Sequence, residues 1–163
     1  MPNPRPVDRT APQLITRIEV KTQTDPSAGA GTNGWVFLGI GGREFQLDTL
    51  ADDFEPRASD RPVTDTFVLG EGANILNASG NDPRDPQLHV TDLDRHPVYL
   101  RFQPRDNDDD WRIDRVDITV TGTAGGAVHH YDFQALADVT GAPKTTLRLS
   151  RRSGRILHLS SLY

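Results

Sequence analysis

The strongest constraint on this chain is a two-residue hydrophobic alternation, cut into short runs by glycine, proline, asparagine and aspartate. It is plainest in Trp111-Arg112-Ile113-Asp114-Arg115-Val116-Asp117-Ile118-Thr119-Val120, where apolar and polar side chains trade places almost without fault. Successive side chains of a strand point to opposite faces, so this is the pattern of a half-buried strand. Trp111, Ile113, Val116, Ile118 and Val120 cannot all share one face of a regular strand. The step from Ile113 to Val116 therefore predicts a bulge or an irregular strand start.

The same signal recurs along the chain. Residues 14–22 form a strand punctuated by Leu14, Ile18 and Val20, which ends in a glycine-rich loop over 24–34. Residues 35–40 and 43–48 read as a hairpin about Gly41-Gly42, since both central positions of a primed turn want positive φ. Residues 63–69 and 97–102 are further strands, and Leu88-His89-Val90 is a short one. Residues 70–86 carry the weakest pattern, and 77–83 within them read as an insertion. Residues 131–139 read as a helical turn or an irregular strand, and 145–150 with 155–158 as a C-terminal β-hairpin about Arg151-Arg152-Ser153-Gly154. About eight short strands and at most one weak helix predict an all-β antiparallel sandwich, with a barrel as the alternative.

A chain of 163 residues suits one domain, and its formal charge of -5, with lysine only at Lys21 and Lys144, argues against a nucleic-acid partner. Cysteine is absent, which removes disulfides, thiolate metal sites and cysteine nucleophiles. Neither a signal peptide nor a membrane span is read at the proline-rich start, so residues 1–12 are expected to be a disordered leader and the location cytoplasmic, nonclassical secretion aside.

Over about residues 14–120 the chain resembles the PLAT, or LH2 (lipoxygenase-homology), domain family. The likeness lies in Lys21-Thr22-Gln23-Thr24-Asp25 leading into Ala30-Gly31-Thr32, then Val36-Phe37-Leu38-Gly39-Ile40-Gly41-Gly42. It continues in Phe45-Gln46-Leu47-Asp48 with Asp65-Thr66-Phe67, and in Asp106-Asn107 followed by Asp110-Trp111-Arg112-Ile113-Asp114-Arg115-Val116. The resemblance implies a β-sandwich of two roughly four-stranded sheets spanning 13–122, used to bind lipid surfaces or protein partners. Residues 123–163 then extend or complete that domain.

The run Asp106-Asn107-Asp108-Asp109-Asp110 places four carboxylates in five residues. Calcium takes six to eight oxygen ligands from carboxylates, amides and carbonyls, so this loop is a calcium site or else a solvated turn. The resemblance sets the two loops side by side and implies Asp25, the carbonyl of Gly31, Asn33, Asp106 and Asn107 as ligands. Asp108 and Asp110 join them on composition. A second acidic cluster, Asp48, Asp52, Asp53 and Glu55, reads as surface decoration. Trp35 and Trp111 flank the two loops, each either capping the core or dipping into an interfacial layer. Basic residues form no cluster near those loops in the sequence.

No catalytic constellation is legible. His129-His130 lacks a third ligand at zinc spacing, and neighbours on a strand point to opposite faces. The expectation is a non-catalytic binding module, calcium-assisted through the loop end, with a protein partner favoured over a membrane lipid surface because aromatic and basic membrane markers are thin. The alternatives are an assembly protein whose terminal strand, 156–163, pairs with a partner or second copy, and a cryptic hydrolase.

Overall fold

The computed structural model describes residues 13–56, 64–134 and 147–162. Among these residues there are nine strands, β1 (Ile15–Thr24), β2 (Trp35–Ile40), β3 (Arg43–Gln46), β4 (Thr64–Gly70), β5 (Val98–Gln103), β6 (Asp110–Gly122), β7 (Ala127–Gln134), β8 (Leu147–Ser150) and β9 (Ile156–Ser161). The expected leader over 1–12 lies outside the described residues, as do 135–139 and 145–146 of the C-terminal readings.

The fold is all-β, and every strand pair is antiparallel. The strands follow the order β3-β2-β5-β9-β7-β6-β1-β4, with β8 beside β6. Two four-stranded halves were expected as separate sheets. They are instead continuous, because β9 pairs with β5 over residues 156–159 and reaches β7 through Ser160 and Ser161. That join is only two residue pairs long, so the single sheet curls sharply there.

The core lies between the two halves. One contributes Ile18, Val20, Phe67, Leu69, Ile118 and Val120, the other Val36, Leu38, Phe45, Leu100 and Phe102. Two register shifts put apolar residues at odd spacing onto this inner face. Between Gln23 and Thr24, β1 skips Asp114 of β6, pairing with Arg115 and then Ile113. The bulge falls where the Ile113-to-Val116 step requires it, and both side chains are fully buried. A second shift between Ile15 and Arg17 reconciles Ile15 and Ile18 in the same way.

The hairpin about Gly41 (φ 60) and Gly42 (φ 78) forms as read. The C-terminal hairpin does not. Beyond one bridge between Ser150 and Gly154 its strands part, β8 to β6 and β9 to β5 and β7. Alternation shows that a strand exists but not which neighbour it takes. Likewise 131–134 is regular strand in β7. Leu88-His89-Val90 supplies only a bridge from His89 to Leu14 before the chain turns into a 3-10 segment, Val90–Asp94.

The end strands of this order, β4 and β3, each take side-chain hydrogen bonds from the segment 74–81. Asn74 accepts from the Val68 N–H at 2.8 Å and donates to the Thr66 carbonyl at 2.8 Å, standing in for a neighbour to β4. Asn81 Oδ1 accepts from the Gln46 N–H of β3 at 2.8 Å. The terminal strand, expected in the assembly alternative to seek a partner, lies between β5 and β7 in the strand order, with 156–159 paired to β5 and Ser160 and Ser161 to β7.

Candidate functional site

Strand directions place the connections 25–34, 47–56, 104–109 and 151–155 at one end of the sheet, here the loop end. Loop 25–34 is pinned to β6: the Asp25 N–H donates to the Arg112 carbonyl at 3.0 Å, and the Arg112 N–H to the Ala30 carbonyl at 2.9 Å. Asp25 is buried and its Oδ1 accepts from the Ser27 N–H at 2.8 Å and from the Ser27 hydroxyl. Its carboxylate therefore shapes the turn.

Loop 47–56 is anchored by Phe54, a bulky residue held at φ 63. Such a conformation persists only where surroundings over-determine it. The Phe54 ring stacks on Phe67 with centroids 5.2 Å apart and meets Trp111 edge-on at 5.0 Å. Its N–H donates to Asp65 Oδ2 at 3.0 Å, and its carbonyl accepts from the Thr32 N–H at 3.1 Å. The strain delivers Glu55 and Pro56 over Gly31. A Cβ on Gly31 would stand 2.6 Å from Pro56 Cδ and 2.7 Å from the Phe54 carbonyl oxygen, so only glycine fits.

Between these loops and 105–109 lies a cleft of about 420 Å³. Thr32 Oγ1 donates to Asp109 Oδ1 at 2.7 Å, and Asp109 Oδ2 accepts from the Arg105 N–H at 2.7 Å, which fixes the acidic loop against the glycine-rich one. Glu55 is held above the ordinary carboxylate range, first by burial and then by the charges of Asp52 and Asp109.

Of the seven expected ligands, Gly31, Asn33, Asp106 and Asp108 line this cleft. Asp25 does not line it. Asn107 accepts from Arg151 Nη1, and Asp110 pairs with Arg148 at 3.1 Å beside a separate depression of about 200 Å³. Sequence reading missed Glu55 and Asp109 as cleft residues. The available signal was Phe54, a large apolar residue inside an acidic turn. The neighbouring Asp53 is more than decoration too, since it accepts from the Thr49 N–H at 2.6 Å and from the Thr49 hydroxyl at 2.8 Å. The oxygens at the cleft are of the hard type calcium takes. Among the described residues, no three carboxylates or imidazoles are grouped to hold a metal ion as they stand.

The two tryptophans divide. Trp111 is fully buried, and its indole N–H donates to Thr24 Oγ1 at 2.9 Å. Trp35 is 42% exposed and Leu50, in the loop opposite, is 92% exposed. Trp35 and loop 47–54 border one shallow depression, adjoining the acidic cleft through Thr32 and Asn33. Basic residues, scattered in sequence, gather here as well: Arg105, Arg148, Arg151 and Arg152 stand around the acidic loop. The histidine doublet sits on β7, with His129 towards Asp94 at 3.7 Å and His130 towards Asp117 at 3.1 Å.

No protein-family model and no curated protein matches the chain. Among solved structures it is similar to the alpha toxin of Clostridium absonum, with 17% identity and a TM-score of 0.55 over 94% of this chain and 33% of that one. The Clostridium perfringens alpha-toxin from an avian strain matches at 15% identity and a TM-score of 0.49, over 89% of this chain and 34% of that one. The chain thus spans about a third of the toxins' length. The likeness is one of fold alone, and the PLAT-like reading of residues 14–120 is compatible with it. Among the described residues no helix is long and apolar enough to cross a membrane.

Proposed function

We propose that the chain is a non-catalytic module that docks onto a lipid surface through its loop end, with calcium assisting at the acidic cleft. The observation that carries this reading is the exposure of Trp35, at the start of β2, and Leu50, in loop 47–56, at the end of the sheet that holds the oxygen-lined cleft. Large apolar side chains left out of a well-filled core at one end of a fold suit an interfacial layer. Tryptophan suits it best, being apolar in body with one polar N–H. The PLAT resemblance points the same way.

The energetics require a second contribution. Burying one such side chain yields about 1.5–3 kcal/mol, and two of them give only marginal attachment once association costs are met. A cation held by Asp106, Asp108, Asp109, Glu55, the Asn33 amide and the Gly31 carbonyl would supply it by linking the cleft to headgroup oxygens. It would also relieve the carboxylate crowding at Glu55. Lipid is preferred to protein because the exposed apolar residues at this end, Trp35 at the start of β2 and Leu50 in loop 47–56, stand singly rather than in a flat apolar patch.

Two measurements test this. A melting temperature that rises with millimolar calcium and falls back with chelator supports the metal, since a ligand of the native state must stabilise it. No shift removes calcium from the account. Co-sedimentation with phospholipid vesicles, lost on Trp35→Ala with Leu50→Ser, supports the lipid surface; failure of the wild type to sediment under any condition contradicts it.

A further inference from the structure

We infer that the turn joining β8 to β9 is an anionic-headgroup site, which holds the loop end to acidic phospholipid without calcium; this rests on the lipid-surface reading above. The chain as a whole is acidic, yet no aspartate or glutamate follows Asp138, while Arg148, Arg151, Arg152 and Arg155 fall within eight residues. The fold carries this basic segment to the loop end. The Arg151 guanidinium donates to Asn107 of the acidic loop, and the Arg155 carbonyl accepts from the Phe102 N–H at 2.8 Å. Trp35 pairs with Gln103, the next residue of β5, so Arg155 and Trp35 flank the same end of β5 from its two sides.

The turn is built to hold its arginines outward. Ser150 and Gly154 exchange backbone hydrogen bonds of 2.9 and 3.2 Å. Inside that ring, Ser150 Oγ accepts from the Arg152 N–H at 3.2 Å and the Ser153 N–H at 2.9 Å, and shares a bond of 2.6 Å with the Ser153 hydroxyl. A turn fixed before contact loses little backbone entropy on binding.

Neutralisation of the acidic loop accounts for only part of this charge. Arg148 is used by Asp110, and Arg151 is tied to Asn107. Arg152, Arg155 and, across the loop, Arg105 are exposed and have no carboxylate within ion-pair distance among the described residues. The charged groups facing them are Asp108, Asp109 and Asp110 beside Arg152, and Glu55, Asp106, Asp108 and Asp109 beside Arg105. Guanidinium groups bind phosphate oxygens in pairs, and these stand on an open rim rather than in an enclosed pocket. An extended surface of phosphates, met alongside Trp35, fits that layout better than one free anion.

The test is co-sedimentation of the full chain in chelator with vesicles of phosphatidylcholine, alone or with phosphatidylserine. Binding to the acidic vesicles alone is expected. Each arginine near an acidic surface contributes about fivefold, so Arg152→Ala with Arg155→Ala should weaken binding roughly thirtyfold. The double lysine variant should keep most of it, and thermal melts should be unchanged. Inorganic phosphate at constant ionic strength should not displace the protein.

An alanine variant that binds like the wild type overturns the inference, as does displacement by free phosphate. Wild-type binding that needs calcium throughout also overturns it, and leaves the lipid-surface reading standing. No binding to either vesicle, with or without calcium, overturns both.

Discussion

At the end of the sheet away from the cleft, Leu88 and Leu93 are buried, 5% exposed each, beneath a segment that wraps back across the strands. At the loop end Trp35 and Leu50 stay in solvent, and carboxylates and arginines crowd around them. Both ends close the same sheet, but Leu88 and Leu93 pack into the core at one, with Leu162 left exposed there, while Trp35 and Leu50 stand out at the other. The difference teaches where function sits. A fold that can seal one end with leucines has no structural need to leave the other open.

Substitutions should separate the ends, and the largest effect belongs to the core that supports the loop end from below. Trp111→Ala should cost about 3–5 kcal/mol in urea unfolding, since a fully buried indole is lost beneath both the Phe54 anchor and Phe102. Leu93→Ala at the sealed end should cost about 2–4 kcal/mol. Leu50→Ser and Trp35→Ala should instead change stability by no more than about 0.5 kcal/mol while vesicle binding falls. An equal cost at the two ends would break the comparison.

Thr24→Val leaves the buried Trp111 N–H without its acceptor and should cost about 1–3 kcal/mol. The smallest effect is expected at Glu55. Its folded pKa is raised above the ordinary 4.5, so the protonated form is favoured in the folded state. That favourable contribution is complete below 4.5 and is lost as pH rises through the folded value. Glu55→Gln should therefore raise the melting temperature slightly at neutral pH and leave it unchanged in acid. A loss of stability at neutral pH would show that the ionised carboxylate is holding the loop.

Strands and the Asp114 bulge were legible because side-chain alternation is local: the sequence from Ile113 to Val116 already contains the contradiction a bulge resolves. Strand partners were not, because nothing within residues 145–158 distinguishes a hairpin from two strands that separate to opposite halves. The site divides on the same line. Gly31, Asn33, Asp106 and Asp108 were readable as loop oxygens, and they converge. Asp25 was drawn into its own turn by Ser27, and Glu55 was delivered by the left-handed backbone of Phe54, a long-range packing event. The arginine turn is invisible in sequence because its acidic neighbours lie some forty residues upstream.

The most direct test of a lipid-docking loop end uses the chain's two tryptophans, one buried and one exposed. Fluorescence is measured on adding acidic phospholipid vesicles that carry bromine on their acyl chains. The account predicts quenching that Trp35→Phe abolishes, with Trp111 unaffected in its core position. Vesicle binding with Trp35 left unquenched would contradict it.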